Sequence, residues 1–577
     1  MYVLGINAAY HESAACLIKD GQVVMAIEEE RLNRIKHGKL ASPGTTGELP
    51  WLAINKCLEA AGITLADCEH LGYSFSPEIL QEGVAQWRDT NDTPHVWPLE
   101  KDSYQTIEGG LDFIDGVLSA RRQLIENAGF RGTFHFLPHH DCHAASAFHV
   151  SQFDKAAVLV IDGIGEWAST SLYYGEGTQL RKVHDFIFPN SLGFVWEKLS
   201  KYLGFSQYDA SKVMGLAAYG DATKTIDLFA KIVTSKQNMS VDLAVLRHES
   251  PDFSPLETLF GLPRRYEPVD FNVENWQAYV NVAAGLQLLT EQVLVEILRR
   301  FDYQTHRNLC MAGGVALNCA ANGAIVREKL FDNIFIQPAS NDAGTAMGAA
   351  FLIWNQMLGR PRDYVFTNAY LGPSYTDDEI EAVLSRTNLN YNKVEVAGKA
   401  AQLIADGNIV GWFSGGMEWG PRALGARSLL ADPRNKDIRE LMNVKVKHRE
   451  LYRPFCPSIL GERAEEWFIG STDANAGKYM LTTSVVHPEK AGAIPAVVHF
   501  DQTVRAQTVY REDNPEYYRL ISEFEALTGV PLLLNTSFND SEPIVCSPQD
   551  AINTFLKTDI DYLVLGNYLV EKNPGYT

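Results

Sequence analysis

The sequence predicts an α/β protein of two domains, the first assembled from two similar lobes. Three observations lead there. A strand, tight turn, strand plan occurs twice before residue 190. Apolar runs that read as buried strands end in Gly or Asp just ahead of helix-like stretches. Composition then shifts near Asn355 to Arg362, where Gly359, Pro361 and polar residues break the pattern. At 577 residues the chain exceeds what one hydrophobic core organises. The expected domains are 1–360 and 361–577.

The elements follow in order. Val3 to Ile6 is the first apolar run. Ala14 to Ile18 and Val23 to Ile27 flank Asp20-Gly21, a hairpin signal. The plan returns in Ala157 to Ile161, which ends in Asp162-Gly163, and in Trp167 to Tyr174, which precedes the Gly-Glu-Gly turn at 175–177. The repeat suggests two lobes facing one another, the plan of the actin, sugar-kinase and heat-shock ATPase (ASKHA) superfamily. Val280 to Phe301 is broken by Gln287, Glu291, Gln292 and Glu296, so it reads as an amphipathic core helix. Leu309 to Ala312 reads as a strand entering Gly313-Gly314, with Asn318 and Asn322 beyond at helical spacing. Glycines there allow a ligand to approach the backbone. Ile334 to Ile336 leads to Asp342 at a strand-to-helix junction, where carboxylates often meet metal or nucleotide. Beyond residue 361 helix-like and strand-like segments alternate, predicting a second α/β domain.

Composition narrows the function. A formal charge of −21 argues against general binding to nucleic acid. It leaves room for a local anion pocket. Eight cysteines are scattered with no C-x-x-C pair, which disfavours structural zinc and thioredoxin-like chemistry. No apolar run approaches a membrane span and no secretory leader is expected ahead of the first strand. A cytoplasmic, reduced protein is the expectation.

Two patterns carry chemistry. His139 and His143 stand four residues apart, on one face of an expected helix. Two imidazoles so placed can grip one metal ion, and they can equally be polar residues at a helix end. From Arg422 to Arg453 there are nine Lys or Arg against four Asp or Glu. Gly and Pro around Trp419 to Ser428 and Tyr452 to Phe455 fix the backbone there, so the arginines look placed to bind an anion. Arg505 and the amide-hydroxyl cluster Asn535, Ser537 and Asn539 could join them.

Together the motifs resemble the antibiotic and nodulation-factor O-carbamoyltransferase family, which includes the tobramycin and cephalosporin carbamoyltransferases. The matching segments run nearly the whole chain: Leu4 to Asn7 with His11, Glu28 to Arg31 with Lys36 to Gly38, His139 to Ala147, Ile161 to Gly163 and Met214 to Ala217. They continue in Gly313-Gly314 with Asn318, Gly420 to Gly425, Arg453 to Phe455 and Leu534 to Asn539. The resemblance implies an ASKHA-type transfer domain followed by a domain like the threonylcarbamoyl-AMP synthases. It implies that carbamoyl phosphate and ATP form carbamoyl adenylate in the second. The first then passes the carbamoyl group to a hydroxyl of a small-molecule natural product.

Carried over residue by residue, His139, His143, Asp162 and Asp342 match metal ligands. The metal is iron-like in the family, and manganese or zinc suit the same donors. Arg422, Lys447, Arg453, Arg505, Asn535 and Ser537 match the carbamoyl phosphate pocket. Lys36, Gly163, Gly313, Gly314 and Asn318 match nucleotide contacts. His11 and Lys36 match catalytic groups, and Mg2+ is expected with ATP. The family commonly places Asp after the residue that His11 matches, whereas this chain has Glu12, one methylene longer. Family members are often dimeric, so a homodimer is the assembly implied. Transfer of a threonylcarbamoyl-type group to tRNA is the alternative on the same modules, and the acidic balance opposes it. An ATP-gated actin-like binding protein without transfer activity is the other, and the C-terminal Arg and Asn-Thr-Ser cluster opposes that. Segments 75–130 and 222–275 carry no readable motif; they lie where members of the resembled family differ, so they are the expected shapers of the acceptor pocket.

Overall fold

The computed structural model describes residues 1–38, 49–90, 118–247, 250–470 and 474–573, with the side chains of 84–90 and 474–475 excepted. Much of the unassigned stretch 75–130 therefore lies outside the described residues. The chain forms two compact units. The first is Met1–Asn33 with His37–Phe366, and the second is Arg34–Lys36 with Thr367–Thr577.

The first unit contains two five-stranded sheets. The first holds β1 (Tyr2–Asn7), β2 (Ala14–Lys19), β3 (Gln22–Glu28), β4 (His70–Tyr73) and β5 (Thr133–Phe136), in the order β3-β2-β1-β4-β5. The second holds β6 (Lys155–Ile161), β7 (Ala168–Glu176) and β8 (Gln179–Ile187). After a two-stranded ribbon of β9 (Val233–Ser235) and β10 (Ser240–Val241), it is completed by β11 (Asn308–Ala312) and β12 (Asn333–Ile336). Its order is β12-β11-β6-β7-β8. The two orders are the same topology. In each sheet the first strand pairs antiparallel with the second and parallel with the fourth, and the fourth pairs parallel with the fifth. This is the two-lobed ASKHA plan expected from the repeated hairpins.

Local sequence explains the strands. Val3, Leu4 and Ile6 are wholly buried, as a sheet's central strand requires. Lys19 faces Gln22 across a two-residue loop, Asp20-Gly21, whose φ values of 50° and 79° suit a type I′ turn. The corresponding turn of the second lobe falls one residue later than its Gly-Glu-Gly signal, because Gly175 and Glu176 both pair within β7.

Each fifth strand leads into a helix rich in small residues: His139–Phe148 after β5 and Ala343–Phe351 after β12. These helices pack backbone to backbone. A Cβ placed on Gly348 would stand 1.7 Å from the Cys142 carbonyl oxygen, and one on Gly5 would stand 1.9 Å from that of Ala346. Only glycine permits such approach. The 23-residue helix Trp276–Leu298 covers the Val280 to Phe301 pattern, starting and ending slightly earlier.

The second unit is built on an eight-stranded mixed sheet. Its strands are β13 (Asn390–Lys393), β14 (Val410–Phe413), β15 (Arg427–Ala431), β16 (Cys456–Leu460), β20 (Gln507–Val509), β21 (Leu532–Ser537), β22 (Tyr562–Leu565) and β23 (Tyr568–Glu571). Their order is β13-β23-β22-β14-β15-β21-β16-β20. A three-stranded sheet of β17 (Phe468–Ile469), β18 (Ser484–Val486) and β19 (Thr503–Val504) accompanies it. Leu532, Leu533 and Leu534 are fully buried in the core. All eight cysteines are free and buried. Among the described residues no helix is long and apolar enough to cross a membrane.

Candidate active sites

The helix pair of the first unit brings four ligand-type side chains together. His139 and His143 come from the first lobe's helix. Asp162 follows β6, and Asp342 stands at the start of the second lobe's helix. His143 Nε2 lies 3.2 Å from Asp162 Oδ2 and 3.7 Å from Asp342 Oδ1. His139 Nε2 lies 3.6 and 3.5 Å from the same oxygens. All four are buried. Among the described residues this is the one group of three or more His, Cys, Asp or Glu whose ligand atoms gather within 4.8 Å of one another.

Supporting contacts aim these atoms. The His139 Nδ1–H donates to the Ser74 carbonyl at 3.0 Å, which leaves the Nε2 lone pair toward the carboxylates. Asp162 Oδ1 accepts from the Gly163 and Gly314 amides at 2.8 and 3.2 Å, turning Oδ2 toward the imidazoles. Asp342 occupies a helix N-cap position, yet its carboxylate makes no capping bond and faces the histidines instead. Glu166 went unnoticed in the sequence. Its Oε1 accepts from the amides of Ser76 (2.6 Å) and His139 (2.8 Å), tying two chain segments at the head of the helix. Burial pushes the Glu166 carboxyl up. At the helix's other end Arg362 donates to the carbonyls of Phe148, His149, Ser151 and Phe153. The helix thus has an anion at its positive end and a cation at its negative end.

The donor set fits a divalent cation. Ligands at 2.0–2.2 Å around a tetrahedral ion stand about 3.4 Å apart, close to the spacings here. The Nε2 atoms of His139 and His143 are buried without a hydrogen-bond partner. With both imidazoles deprotonated, as metal ligands must be, the two carboxylates carry a net charge that a divalent ion cancels. Burial acts to lower the His139 pKa, but Asp342 and Asp162 outweigh it and hold it well above the usual histidine range.

His11 lies beside this group, with its Nδ1 4.0 Å from Asp342 Oδ2. Its Nδ1 also bonds Glu12, whose other oxygen takes His37 Nδ1 at 2.7 Å. Glu12 therefore reaches His11 despite its extra methylene, with φ at 47°. Tyr208 packs against both imidazoles, at ring distances of 5.6 and 4.6 Å. Gly313, at φ 94°, lies so close to Ile161 that a Cβ would meet its carbonyl oxygen at 2.2 Å. Asn318 does not lie within the helix with Asn322. It caps Cys319–Glu328 by accepting from the Ala321 amide, and it donates to Gln287. Lys36 belongs with the second unit.

The second unit gathers cations. Buried Lys447 donates to the Ser537 carbonyl (2.6 Å), the Asn539 carbonyl (2.7 Å) and Asn539 Oδ1 (2.6 Å). Burial first, then Arg449 and Arg453, hold its pKa well below the usual lysine range. Arg505 sets Nε and Nη2 on Cys456 Sγ at 3.1 and 2.9 Å. Cys456 pairs directly with Asn535 across the sheet. Arg453 stands 3.8 Å from Glu450. Arg449 donates to Asn443 and lies over Phe455. Arg422 lies on the Gly420–Gly425 loop, which Glu418 holds by accepting from the amides of Leu424, Ala426 and Arg427. Arg427 leaves the anion cluster altogether. It is buried over the Phe413 ring and donates to the Pro373, Gly415 and Ala426 carbonyls.

These two sites sit in a chain that belongs to the carbamoyltransferase family. The family's Carbamoyltransferase N-terminus model matches residues 2–351, and its Carbamoyltransferase C-terminus model matches residues 401–572. The enzyme class is therefore a transferase. The protein sll1178 of Synechocystis sp. is 37% identical across 99% of this chain and 97% of its own. Nodulation protein NolNO of Sinorhizobium fredii is 38% identical across 98% of this chain and 80% of its own. Nodulation protein U of the same species is 28% identical across 93% and 94%. Among solved structures, component A of the Acidaminococcus fermentans (R)-2-hydroxyglutaryl-CoA dehydratase aligns with 61% of this chain and 96% of its own, with a TM-score of 0.31 and 17% identity.

Proposed function

We propose that the protein is an ATP-dependent O-carbamoyltransferase acting on a hydroxyl of a small-molecule natural product. The observation that carries the reading is a buried four-donor cation site in one unit and an arginine-lysine cluster in the other, within a carbamoyltransferase chain. In the second unit, carbamoyl phosphate, water and ATP give carbamoyl adenylate, phosphate and diphosphate. Arg422, Lys447, Arg453 and Arg505 offset phosphate charge there, while Asn535 and Ser537 hydrogen-bond the carbamoyl phosphate.

In the transfer step the acceptor oxygen attacks the carbamoyl carbon and the bond to AMP breaks. With His11 Nδ1–H on Glu12, the basic lone pair sits on Nε2, which takes the acceptor's proton. Gly163, Gly313, Gly314 and Asn318 line the nucleotide. His139, His143, Asp162 and Asp342 would hold a divalent metal, iron first and manganese or zinc otherwise, which would supply Lewis-acid stabilisation of phosphate charge. Mg2+ accompanies ATP. A net charge of −21 favours a small acceptor over tRNA.

The test is diphosphate release. Purified protein with ATP should release diphosphate only when carbamoyl phosphate is present, and a carbamoylated product should appear with a suitable hydroxylated acceptor. Absence of carbamoyl-phosphate-dependent diphosphate across an acceptor screen overturns the reading.

A further inference from the structure

The second unit contains a side-chain triad with no role so far. Ser458 on β16 pairs directly with Gln507 on β20, and their side chains meet that of Asn535 on β21. Two backbone carbonyls of the Gly420–Gly425 loop settle which way each amide points. Leu424 O can only accept, so Gln507 gives it Nε2–H at 2.7 Å and turns Oε1 inward. The Ser458 hydroxyl donates to that Oε1 at 2.6 Å. Ala423 O can also only accept, so Asn535 turns Nδ2 toward it at 3.1 Å. The same Nδ2 reaches Ser458 Oγ at 2.9 Å and Gln507 Oε1 at 3.2 Å.

Both Nδ2 protons are therefore used inside the protein. Asn535 Oδ1 remains as an acceptor, and it has no hydrogen-bond partner although the residue is only 1% exposed. A buried acceptor left so is costly and calls for a donor. Its surroundings say what kind. Across the sheet from Asn535 is Cys456, which takes the Arg505 fork, and two residues along is Ser537, which Lys447 contacts. The acceptor thus lies on a strand whose neighbouring residues meet Arg505 and Lys447, the cations assigned above to phosphate oxygens, and what it still lacks is an N–H.

We infer that Ser458 and Gln507 lock the polarity of Asn535 so that its Oδ1 reads the amide N–H of a carbamoyl phosphate. The inference rests on the function proposed above and adds how the site selects its acyl donor. Carbamoyl phosphate and acetyl phosphate share a phosphate and nearly a shape, and differ by NH2 against CH3. The cations cannot separate them; an oriented acceptor can. Were the Asn535 amide turned over, NH2 would face NH2 and the preference would vanish. Asn535 touches the ligand, while Ser458 and Gln507 are positioning residues.

The experiment is a calorimetric titration of the full chain with carbamoyl phosphate, acetyl phosphate and inorganic phosphate. The wild-type protein should prefer carbamoyl over acetyl phosphate by about tenfold or more. Gln507→Leu and the milder Ser458→Ala should bring that ratio within about threefold of unity and leave inorganic phosphate binding unchanged. Ser458→Thr, which keeps the hydroxyl, should keep the ratio. A wild-type ratio near unity overturns the inference, as does a wild-type ratio retained in both variants. Parallel loss of all three affinities in both variants also overturns it, because a polarity lock leaves the phosphate contacts in place. If the wild-type protein binds none of the three, the carbamoyl phosphate reading of this unit falls, and this inference with it.

Discussion

The two lobes of the first unit share a strand order but not a chemistry. Each has a polar residue at or just beyond the end of its first strand and a helix after its fifth strand. In the first lobe, β1 ends in Asn7, whose amide is satisfied locally by the carbonyls of His11 and Glu12. In the second, β6 runs into Asp162, whose carboxylate faces the histidines. The first lobe's helix opens with His139 and His143, the second lobe's with Asp342. Duplicated topology has brought two equivalent helix ends face to face. Divergent residues then made one half neutral donors and the other half anions, which is what a divalent cation needs.

The comparison can be broken first at its packing. Gly348→Val puts a branched side chain where even a Cβ would stand 1.7 Å from the Cys142 carbonyl. It should cost about 4 kcal/mol or more in a denaturant titration. The chemistry is tested next. His139→Ala and Asp342→Ala, one from each lobe, should each lower metal affinity more than the 10–100-fold typical of supporting residues, roughly equally. Chelator competition measures this, and diphosphate formation should persist in both. Similar loss of both half-reactions would mean that the four residues hold the fold rather than a metal.

Supporting residues sharpen the picture. Glu166→Gln keeps the shape but weakens the bonds to the Ser76 and His139 amides, and should lower metal affinity about 10–100-fold. The first lobe's helix should also confer acid sensitivity through His149 at its end. Burial first, then Arg362, lowers the His149 pKa to about 3. The unfolded value is about 6.5, so the unfolded chain takes the proton between those limits. Stability from this residue is complete above about pH 6.5 and is lost as pH falls toward 3, at up to about 1.4 kcal/mol per pH unit. His149→Gln should flatten that part of a pH-dependent unfolding curve. The smallest effect is expected at Arg362. Its guanidinium takes the carbonyls at the end of the first lobe's helix, whereas the second lobe's helix continues into a wide turn over Leu352–Met357. Arg362→Lys should cost about 1–3 kcal/mol by thermal unfolding, because an ammonium cannot span the same fork.

The sequence made part of this legible. Hairpin turns are local, so Asp20-Gly21 announced the first lobe, and Asp162-Gly163 after an apolar strand announced the second. Spacing of i and i+4 placed His139 and His143 on one face. Nothing local could reveal Glu166, because its partners Ser76 and His139 lie far away in the chain and its role is to accept backbone amides. The basic run Arg422 to Arg453 was legible as charge but not as destination. Arg427 went inward onto the Pro373, Gly415 and Ala426 carbonyls, while Lys447 reached Ser537 and Asn539. Both are buried cations, and only three-dimensional partners separate them. The triad of Ser458, Gln507 and Asn535 was hidden for the same reason: it spans three strands and two loop carbonyls.

Splitting the four candidate donors between lobes also bears on how the molecule is made. His139 and His143 are synthesised early, and Asp342 emerges about 200 residues later. A nascent first lobe can offer two imidazoles and no carboxylate partner from its twin. The full donor set exists only once the second helix has docked against the first through Gly348. On the function proposed above, metal capture is a late event in biogenesis, because a chain arrested before residue 343 lacks the second helix that completes the donor set.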